Sequence, residues 1–216
     1  MKHELVFDTL YYRYGPQHWW PGETAFEVMV GAVLTQSATW TNVEKAIASL
    51  KAAGVLSPSA LRSIDLSLLA KLIYPSGYFN AKAAKLKALV NWYGAEYGDD
   101  LQKLRSRPIE ALRDELLGVF GVGEETADSI LLYAANKPSF VIDAYTRRIF
   151  ARVGIAPKRD AYADWRQMFM GTMKPDVRKF NEYHALLVQH GKEVCTKRNP
   201  KCSACCLRKI CKTGRD

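Results

Sequence analysis

The stretch GVGEETA, residues 121–127, lies between two segments with helical hydrophobic periodicity. Its glycines, Gly121 and Gly123, allow positive φ angles and a close approach of the backbone. Val122 between them can point inward and pack against both helices. The amides that begin the second helix, together with the helix dipole, favour an anion. The stretch therefore predicts a helical hairpin that binds one DNA phosphate, although an ordinary helix–glycine–helix turn has the same pattern.

Helical periodicity extends along most of the chain and predicts hairpin helices at 110–120 and 123–136. Two Thr-x-x-Glu patterns, beginning at Thr24 and at Thr41, predict capping boxes on two earlier helices. The best strand candidate is SFVIDAY at 139–145, but its aspartate interrupts the apolar run. Since no segment alternates polar and apolar residues over more than four positions, the predicted fold class is all-α.

Basic residues are concentrated in the last third of the chain. Residues 145–216 hold 17 Lys and Arg against 6 Asp and Glu, a net charge of +11, whereas residues 1–144 hold 14 against 16, or −2. Such a surface attracts polyanions, most often nucleic acid, although it also serves solubility alone. No apolar run approaches the roughly 18 residues of a membrane helix, and the N-terminal run contains acidic residues, unlike a signal peptide. We therefore expect a soluble cytoplasmic protein.

All five cysteines lie between positions 195 and 211. Such a cluster, without a signal peptide, indicates a metal or iron–sulfur site rather than disulfides. Four thiolates can bind a tetrahedral zinc ion or a cubane iron–sulfur cluster, and the spacing Cys-x6-Cys-x2-Cys-x5-Cys leaves both open. The candidate ligands are Cys195, Cys202, Cys205 and Cys211.

The loop between the first two candidate ligands is basic, because it contains Lys197, Arg198 and Lys201. A loop fixed at both ends would present these cations to a DNA backbone at little entropic cost. Cys206, the fifth cysteine, is adjacent to Cys205, and we interpret it as a bystander.

Asp143 is a carboxylate in apolar surroundings at a predicted helix start. It lies eighteen residues after Glu125. The position is typical of an N-cap aspartate, and the apolar surroundings also suit a catalytic carboxylate. Arg147 and Arg148 follow one turn onward, where they suit contact with a phosphate or pairing with Asp143.

Phe120-Gly-Val-Gly, the aspartate eighteen residues beyond Glu125 and the cysteine spacing together resemble the endonuclease III branch of the helix-hairpin-helix DNA glycosylases. LTQSAT at 34–39 and GYFNAKA at 77–83 match this family as well. The resemblance thus covers nearly the whole chain, and it implies a [4Fe-4S] cluster rather than zinc.

The resemblance also implies two helical domains. A six-helix barrel with the helix-hairpin-helix would occupy 24–135, and an iron–sulfur cluster domain would be built from 1–23 and 136–216. Damaged double-stranded DNA would bind in the cleft between them, with the damaged nucleotide flipped out. We expect a monomer that acts at the nucleoid in base excision repair.

Individual residues match family positions with known roles. Gln36 matches the residue that fills the space vacated in the duplex, and Tyr78 lies at the position of the wedge against the opposite strand. The resemblance assigns phosphate binding to the amides of Gly121 and Gly123, with Val122 between them. It assigns the role of catalytic aspartate to Asp143.

Glu125 departs from the pattern of the bifunctional family members, which have a lysine there. That amine attacks the sugar C1′, forms a Schiff base and leads to strand cleavage, and a carboxylate cannot do so. The resemblance therefore implies a monofunctional glycosylase that uses water as the nucleophile, assisted by Asp143.

Trp19-Trp20-Pro21 and Trp40, together with Glu125, are similar to the 3-methyladenine DNA glycosylases of this superfamily. In those enzymes aromatic residues at these places line the base pocket. N-alkylated purines are cationic, and an aromatic face attracts a cationic base. These residues predict excision of alkylated purines, although adjacent tryptophans are also common in hydrophobic cores.

Other functions fit part of the sequence. A mismatch glycosylase for uracil, thymine or adenine also lacks the hairpin lysine, and a displaced lysine would permit an endonuclease III-type lyase. A non-catalytic DNA-damage binder would not need Asp143. A zinc-dependent transcription factor fits the basic C-terminal region but not the long helical region before it.

Overall fold

The computed structural model describes residues 2–19 and 22–214, and within these ranges it is helical without a β-strand. The predicted all-α class is therefore confirmed. No helix in these ranges is both long and apolar enough to cross a membrane. The α-helices are α1 (Lys2–Tyr14), α2 (Ala25–Leu34), α3 (Trp40–Ala52), α4 (Pro58–Ser63), α5 (Leu66–Leu72), α6 (Phe79–Tyr97), α7 (Leu101–Ser106), α8 (Ile109–Gly118), α9 (Glu124–Ser129), α10 (Ala144–Val153), α11 (Tyr162–Thr172) and α12 (Val177–Glu193).

The described residues form two compact units. One comprises residues 2–19 and 138–214, and the other comprises residues 22–137. The assignment of a barrel domain to 24–135 and of a cluster domain to the two ends of the chain stays a prediction.

The unit built from both ends of the chain has an aromatic core. Helices α1 and α10 pack against α12, and Phe140, Phe150, Phe169 and Tyr183 are fully buried. The Phe140 and Phe169 rings stack with centroids 4.1 Å apart. Phe140 belongs to the apolar run before Asp143, so this core fixes the segment that leads to that carboxylate.

The unit at 22–137 has an aliphatic core around α2 and α6, against which α4 and α5 also pack. Lys82 of α6 lies inside it with 1% of its surface exposed. Its Nζ donates to the carbonyls of Leu34 and Ser76, each at 2.7 Å. Burial, with a smaller contribution from the nearby Lys85 ammonium, lowers the pKa of Lys82 to about 8. These bonds attach α6 to the last residue of α2 and to the turn that precedes α6.

The predicted hairpin is formed by α8 and α9, with a π-helical turn, Ile130–Ala134, directly after α9. Arg113 of α8 forms a two-bond ion pair with Asp128 of α9, at 2.9 and 3.2 Å. The Asp128 side chain has no exposed surface and that of Arg113 exposes 12%. A buried charge needs its partner, so this pair fixes the angle between the hairpin helices.

The two predicted capping boxes have different outcomes. Thr24 accepts a hydrogen bond from the Glu27 amide at 3.0 Å, as predicted, while the Glu27 carboxylate pairs with Lys51 at 2.9 Å. The capping box predicted at Thr41 is wrong, because α3 begins two residues earlier than that cap would place it, at Trp40, and its N-cap is Thr39.

We expect Asp128→Ala to lower the free energy of unfolding by about 3–5 kcal/mol, because it removes the buried carboxylate that accepts two hydrogen bonds from the Arg113 guanidinium. Urea denaturation measures the change. Glu23→Ala is the control in the same unit, because the Glu23 side chain is 80% exposed in its ion pair with Lys51 and its loss should have little effect. Equal effects of the two substitutions would contradict the structural role of the buried pair.

Candidate active site

The hairpin turn requires glycine at position 121. Gly121 has φ +81°, and a Cβ there would lie 2.2 Å from Cγ of Lys85, whose aliphatic chain crosses the turn. Val122 is buried, as the sequence predicts. Gly123 is the N-cap of α9 and offers no side-chain cap. The first amides of a helix have no partner within the helix, so those of α9 can receive an anion.

Gln36 is held against this turn by three hydrogen bonds. Its Nε2 donates to the Gly121 carbonyl at 2.9 Å and to Thr126 Oγ1 at 3.0 Å. Its Oε1 accepts from Lys85 Nζ at 2.6 Å. The glutamine that the sequence predicts to enter the duplex thus belongs to the same local structure as the hairpin. Lys85 is a contributor that sequence reasoning did not find.

The two acids after the turn have different environments. Glu124 Oε1 lies 3.5 Å from the Arg113 guanidinium, which compensates its charge. Glu125 is exposed at the second residue of α9. Acidic side chains in a first helical turn complement the helix dipole. The acids are therefore compatible with an anion bound through backbone amides.

Tyr78, the predicted wedge, is 74% exposed. It directly precedes α6 and has left-handed backbone angles, φ 47° and ψ 32°, after Gly77 at φ 68°. A non-glycine residue in this region is uncommon and often marks a functional site. The structure places the ring on the surface, as a wedge requires.

Asp143 is the N-cap of α10, where its Oδ1 accepts from the Thr146 amide at 2.7 Å. Its Oδ2 lies 3.5 Å from Nε2 of His184 on α12. Burial raises the pKa of this carboxyl, but the contacts with His184 and Thr146 outweigh burial, and the pKa lies below its usual value. Asp143 is therefore an ionised carboxylate in a largely dry environment.

The predicted base-pocket residues are partly described. Trp19 lies against His184, with ring centroids 5.5 Å apart. Trp40 lines a cavity of about 210 Å³ together with Glu27 and Lys51. Trp20 and Pro21 lie outside the described residues.

Arg147 and Arg148 contact the protein, and neither faces Asp143. Arg147 Nη1 donates to the carbonyl and to Oδ1 of Asp160, at 3.0 and 3.1 Å. Arg148 donates to the carbonyls of Cys195 and Gly191, at 2.8 and 2.9 Å. Both arginines therefore bond to other residues than Asp143. Their contact with a phosphate stays a prediction.

Arg152 also holds the cysteine loop. It donates to Cys195 Sγ at 3.2 Å and to the Thr196 carbonyl at 2.8 Å. Sequence reasoning missed this residue, although its four-residue spacing from Arg148 places both on one face of α10. The arginines thereby fix the start of the loop, while Lys197, Arg198 and Lys201 are exposed, as predicted.

The four candidate ligands line one cavity of about 20 Å³. The fifth cysteine, Cys206, is not among the lining residues. Within 2–19 and 22–214, no group of three or more His, Cys, Asp or Glu side chains is arranged to hold a metal ion. His190 Nε2 lies 3.5 Å from Cys205 Sγ, and its Nδ1 bonds to the Tyr14 hydroxyl at 2.8 Å.

Residues 30–175 match the model of the HhH-GPD superfamily base excision DNA repair protein. The chain is 41% identical to the "Putative DNA repair glycosylase MJ1434" of Methanocaldococcus jannaschii, over 95% of this chain and 94% of that protein. It is 28% identical to the endonuclease III of Sulfolobus acidocaldarius, over 87% of this chain and 81% of that protein. The chain therefore belongs to the HhH-GPD superfamily of base excision DNA repair proteins. It is a DNA N-glycosylase.

Solved structures share the fold. An endonuclease III in a trapped covalent intermediate with DNA has a TM-score of 0.84 at 21% identity, covering 99% of this chain and 96% of that chain. A thermostable thymine-DNA glycosylase has a TM-score of 0.79 at 21% identity, covering 99% and 97%. The H. pylori 3-methyladenine DNA glycosylase MagIII, bound to 1,N6-ethenoadenine, has a TM-score of 0.74 at 26% identity, covering 89% and 95%.

We expect Gly121→Ala to weaken DNA binding by roughly tenfold, or about 1.4 kcal/mol, because the new Cβ strains the backbone and displaces Lys85. If one phosphate contact is lost, the slope of log K against log salt should become less negative by about 0.9. Fluorescence anisotropy at several salt concentrations measures both. Gly98→Ala is the matched control, since Gly98 has φ +61° and open space around it. Unchanged affinity of Gly121→Ala would contradict phosphate binding at the turn.

Proposed function

We propose that the protein is a monofunctional DNA glycosylase that hydrolyses the N-glycosidic bond of alkylated purines, such as 3-methyladenine, in damaged double-stranded DNA. The observation that carries the monofunctional assignment is the exposed carboxylate of Glu125 at the second residue of α9. This is the position at which bifunctional members of the family have the nucleophilic lysine. A carboxylate there leaves water as the nucleophile.

Two lysines of α6 are held in hydrogen bonds with the protein, which argues against either of them as a displaced nucleophile. Lys82 has a lowered pKa of about 8, as a nucleophilic amine requires, but it is 1% exposed and its Nζ bonds to two carbonyls. Lys85 Nζ bonds to Gln36. Each amine would have to break these hydrogen bonds before it could attack a DNA sugar.

Asp143 supplies the acid–base chemistry in this proposal. Its ionised carboxylate stabilises positive charge that develops on the sugar as the N-glycosidic bond breaks, and the electron pair of that bond leaves with the base. Water then adds at C1′ and transfers a proton to the carboxylate. The products are the free base and an abasic site, with the DNA strand intact. No covalent enzyme intermediate is required.

Alkylated purines suit this machinery because a cationic base accepts the electron pair readily and needs little protonation. The 26% identity to MagIII, a 3-methyladenine DNA glycosylase bound to an etheno-modified adenine, supports this substrate class. Trp19 supports it as well, because its ring lies against His184, which faces Asp143. An aromatic ring there can stack on a cationic base.

We further propose that Cys195, Cys202, Cys205 and Cys211 ligate a [4Fe-4S] cluster. All four line one cavity, and Cys206 is not among its lining residues. Their spacing, Cys-x6-Cys-x2-Cys-x5-Cys, resembles that of the endonuclease III branch and thereby favours a cubane cluster over zinc. A Cβ at Gly214 would lie 3.6 Å from Cys211 Sγ and 3.8 Å from Cys202 Sγ, so glycine there leaves room beside two of the sulfurs. The cluster would fix both ends of the basic loop between Cys195 and Cys202.

Incubation of the purified protein with methylated DNA should release 3-methyladenine, identified chromatographically as the free base. Asp143→Asn should lower the single-turnover rate of release by roughly 100-fold or more, the contribution of a positioned acid–base group, while DNA binding is kept. Duplexes that contain uracil, mismatched thymine or an oxidised pyrimidine complete the panel. Release from those duplexes without release of 3-methyladenine would refute the substrate class.

Borohydride should not trap the wild-type protein on abasic-site DNA, because the family's nucleophile position holds the carboxylate of Glu125, which cannot form a Schiff base. Glu125→Lys should become trappable, since it places an amine at the family's nucleophile position. Glu124→Lys is the adjacent control, and we expect no trapping because residue 124 faces Arg113. Efficient trapping of the wild type would overturn the monofunctional assignment.

Cys205→Ser should purify with little iron and sulfide and without the visible absorption of an iron–sulfur cluster. Cys206→Ser should retain wild-type iron and sulfide, since Cys206 does not line the cavity. Elemental analysis and the visible spectrum measure both. Zinc without sulfide in the wild-type protein would contradict the cluster, and loss of iron from Cys206→Ser would contradict the ligand assignment.

A further inference from the structure

His184 is a buried residue on α12 that no sequence motif indicates. Its Nε2 lies 3.5 Å from Asp143 Oδ2, and the two side chains expose 8% and 12% of their surface. Phe180 and Leu187, on the same helix, are fully buried. Because the helix is anchored by these residues, His184 is presented to Asp143 from a rigid element.

The contact with His184 means that both carboxylate oxygens of Asp143 have a protein partner. The Thr146 amide donates to Oδ1 at 2.7 Å, and His184 faces Oδ2. Since each carboxylate oxygen is held from a different helix, the group cannot rotate without losing one contact. Each oxygen accepts more than one hydrogen bond, so lone pairs in fixed directions stay available for water.

Trp19 fixes the histidine from another side. The Trp19 ring lies 5.5 Å from the His184 ring, centroid to centroid, at an interplanar angle of 43°. Tryptophan, histidine and aspartate thus form a contiguous series within one unit. Packing that restrains a side chain is what keeps a neighbouring reactive group in its productive geometry.

We propose that His184 is a positioning residue that orients the Asp143 carboxylate and favours its ionised form, an inference that rests on the proposed role of Asp143 in glycosylase chemistry. Nε2 carries hydrogen in imidazolium and in one neutral tautomer, and at 3.5 Å it makes a charge contact with Oδ2 rather than a short hydrogen bond. His184 itself need not contact the substrate.

The direction of the pH effect follows from the contacts of Asp143. Burial raises the pKa of Asp143, whereas His184 and the Thr146 amide and hydroxyl lower it by more. The neighbouring arginines on α10 bond to Asp160 and to the cysteine loop instead. Loss of His184 should therefore raise the pKa of Asp143. Because the reaction needs the carboxylate, the acidic limb of the pH–rate profile should move to higher pH.

The test compares His184→Phe, which removes the donor, with His184→Gln, which keeps one. His3→Phe is the matched control: His3 is buried in the same unit against Phe150 and Phe169 and bonds to Thr172.

NMR titration of the Asp143 carboxyl carbon in the full-length, DNA-free protein, assigned with Asp143→Asn, needs no substrate. We expect Asp143 to titrate at higher pH in His184→Phe than in wild type and His3→Phe. An unchanged titration would overturn the inference.

Single-turnover release from methylated duplex provides the second measurement. His184→Phe should lower the maximal rate by about 10- to 100-fold, the range for loss of one contact to a charged group, with the half-saturating enzyme concentration nearly unchanged. His184→Gln should recover most of that rate. An equal loss in His3→Phe would show a purely structural role. Should Asp143→Asn retain full activity, the proposed function fails, whereas the titration still decides whether His184 controls Asp143.

Discussion

The hydrogen bond from the Thr146 amide to Asp143 is the interaction on which the unit built from both chain ends depends. It begins α10, and α10 then packs along α12. From the same helix, Arg148 and Arg152 bond to the cysteine loop. One short helix thus joins the proposed catalytic carboxylate to the proposed cluster site. A displacement of α10 would change both, so the cysteine loop can support catalysis without taking part in the chemistry.

The other unit combines an acidic hairpin with a predicted anion-binding role. Backbone amides, not basic side chains, offer the positive charge at the turn, so Glu124 and Glu125 do not conflict with it. The buried ion pair between the hairpin helices sets their angle, and Gln36 connects the turn to the loop after α2. The turn predicted to bind a phosphate and Gln36, the residue predicted to fill the duplex, are therefore held together by hydrogen bonds in one unit.

Much of the fold could be predicted from the sequence, because helical periodicity and glycine turns are local signals. The hairpin helices, the buried Val122 and the cap at Thr24 follow from such signals. The cap prediction at Thr41 failed because α3 begins at Trp40 with Thr39 as its N-cap. A four-residue pattern alone does not distinguish two threonines that lie two positions apart. His184 and Lys85 were not found, since their roles come from partners 41 and 49 positions away. The partners of Arg147 and Arg148 were missed for the same reason.

The fixed backbone conformation of Tyr78 has a consequence for the entropy of DNA binding. Its ring is on the surface, yet its backbone is fixed between a left-handed glycine and the first turn of α6. An exposed side chain on a flexible loop would lose backbone entropy on entering a DNA duplex, about 1–2 kcal/mol for each residue ordered. Here that ordering takes place during folding. For the wedge role predicted for Tyr78, a larger share of the stacking energy of the ring would thereby be left to separate the bases.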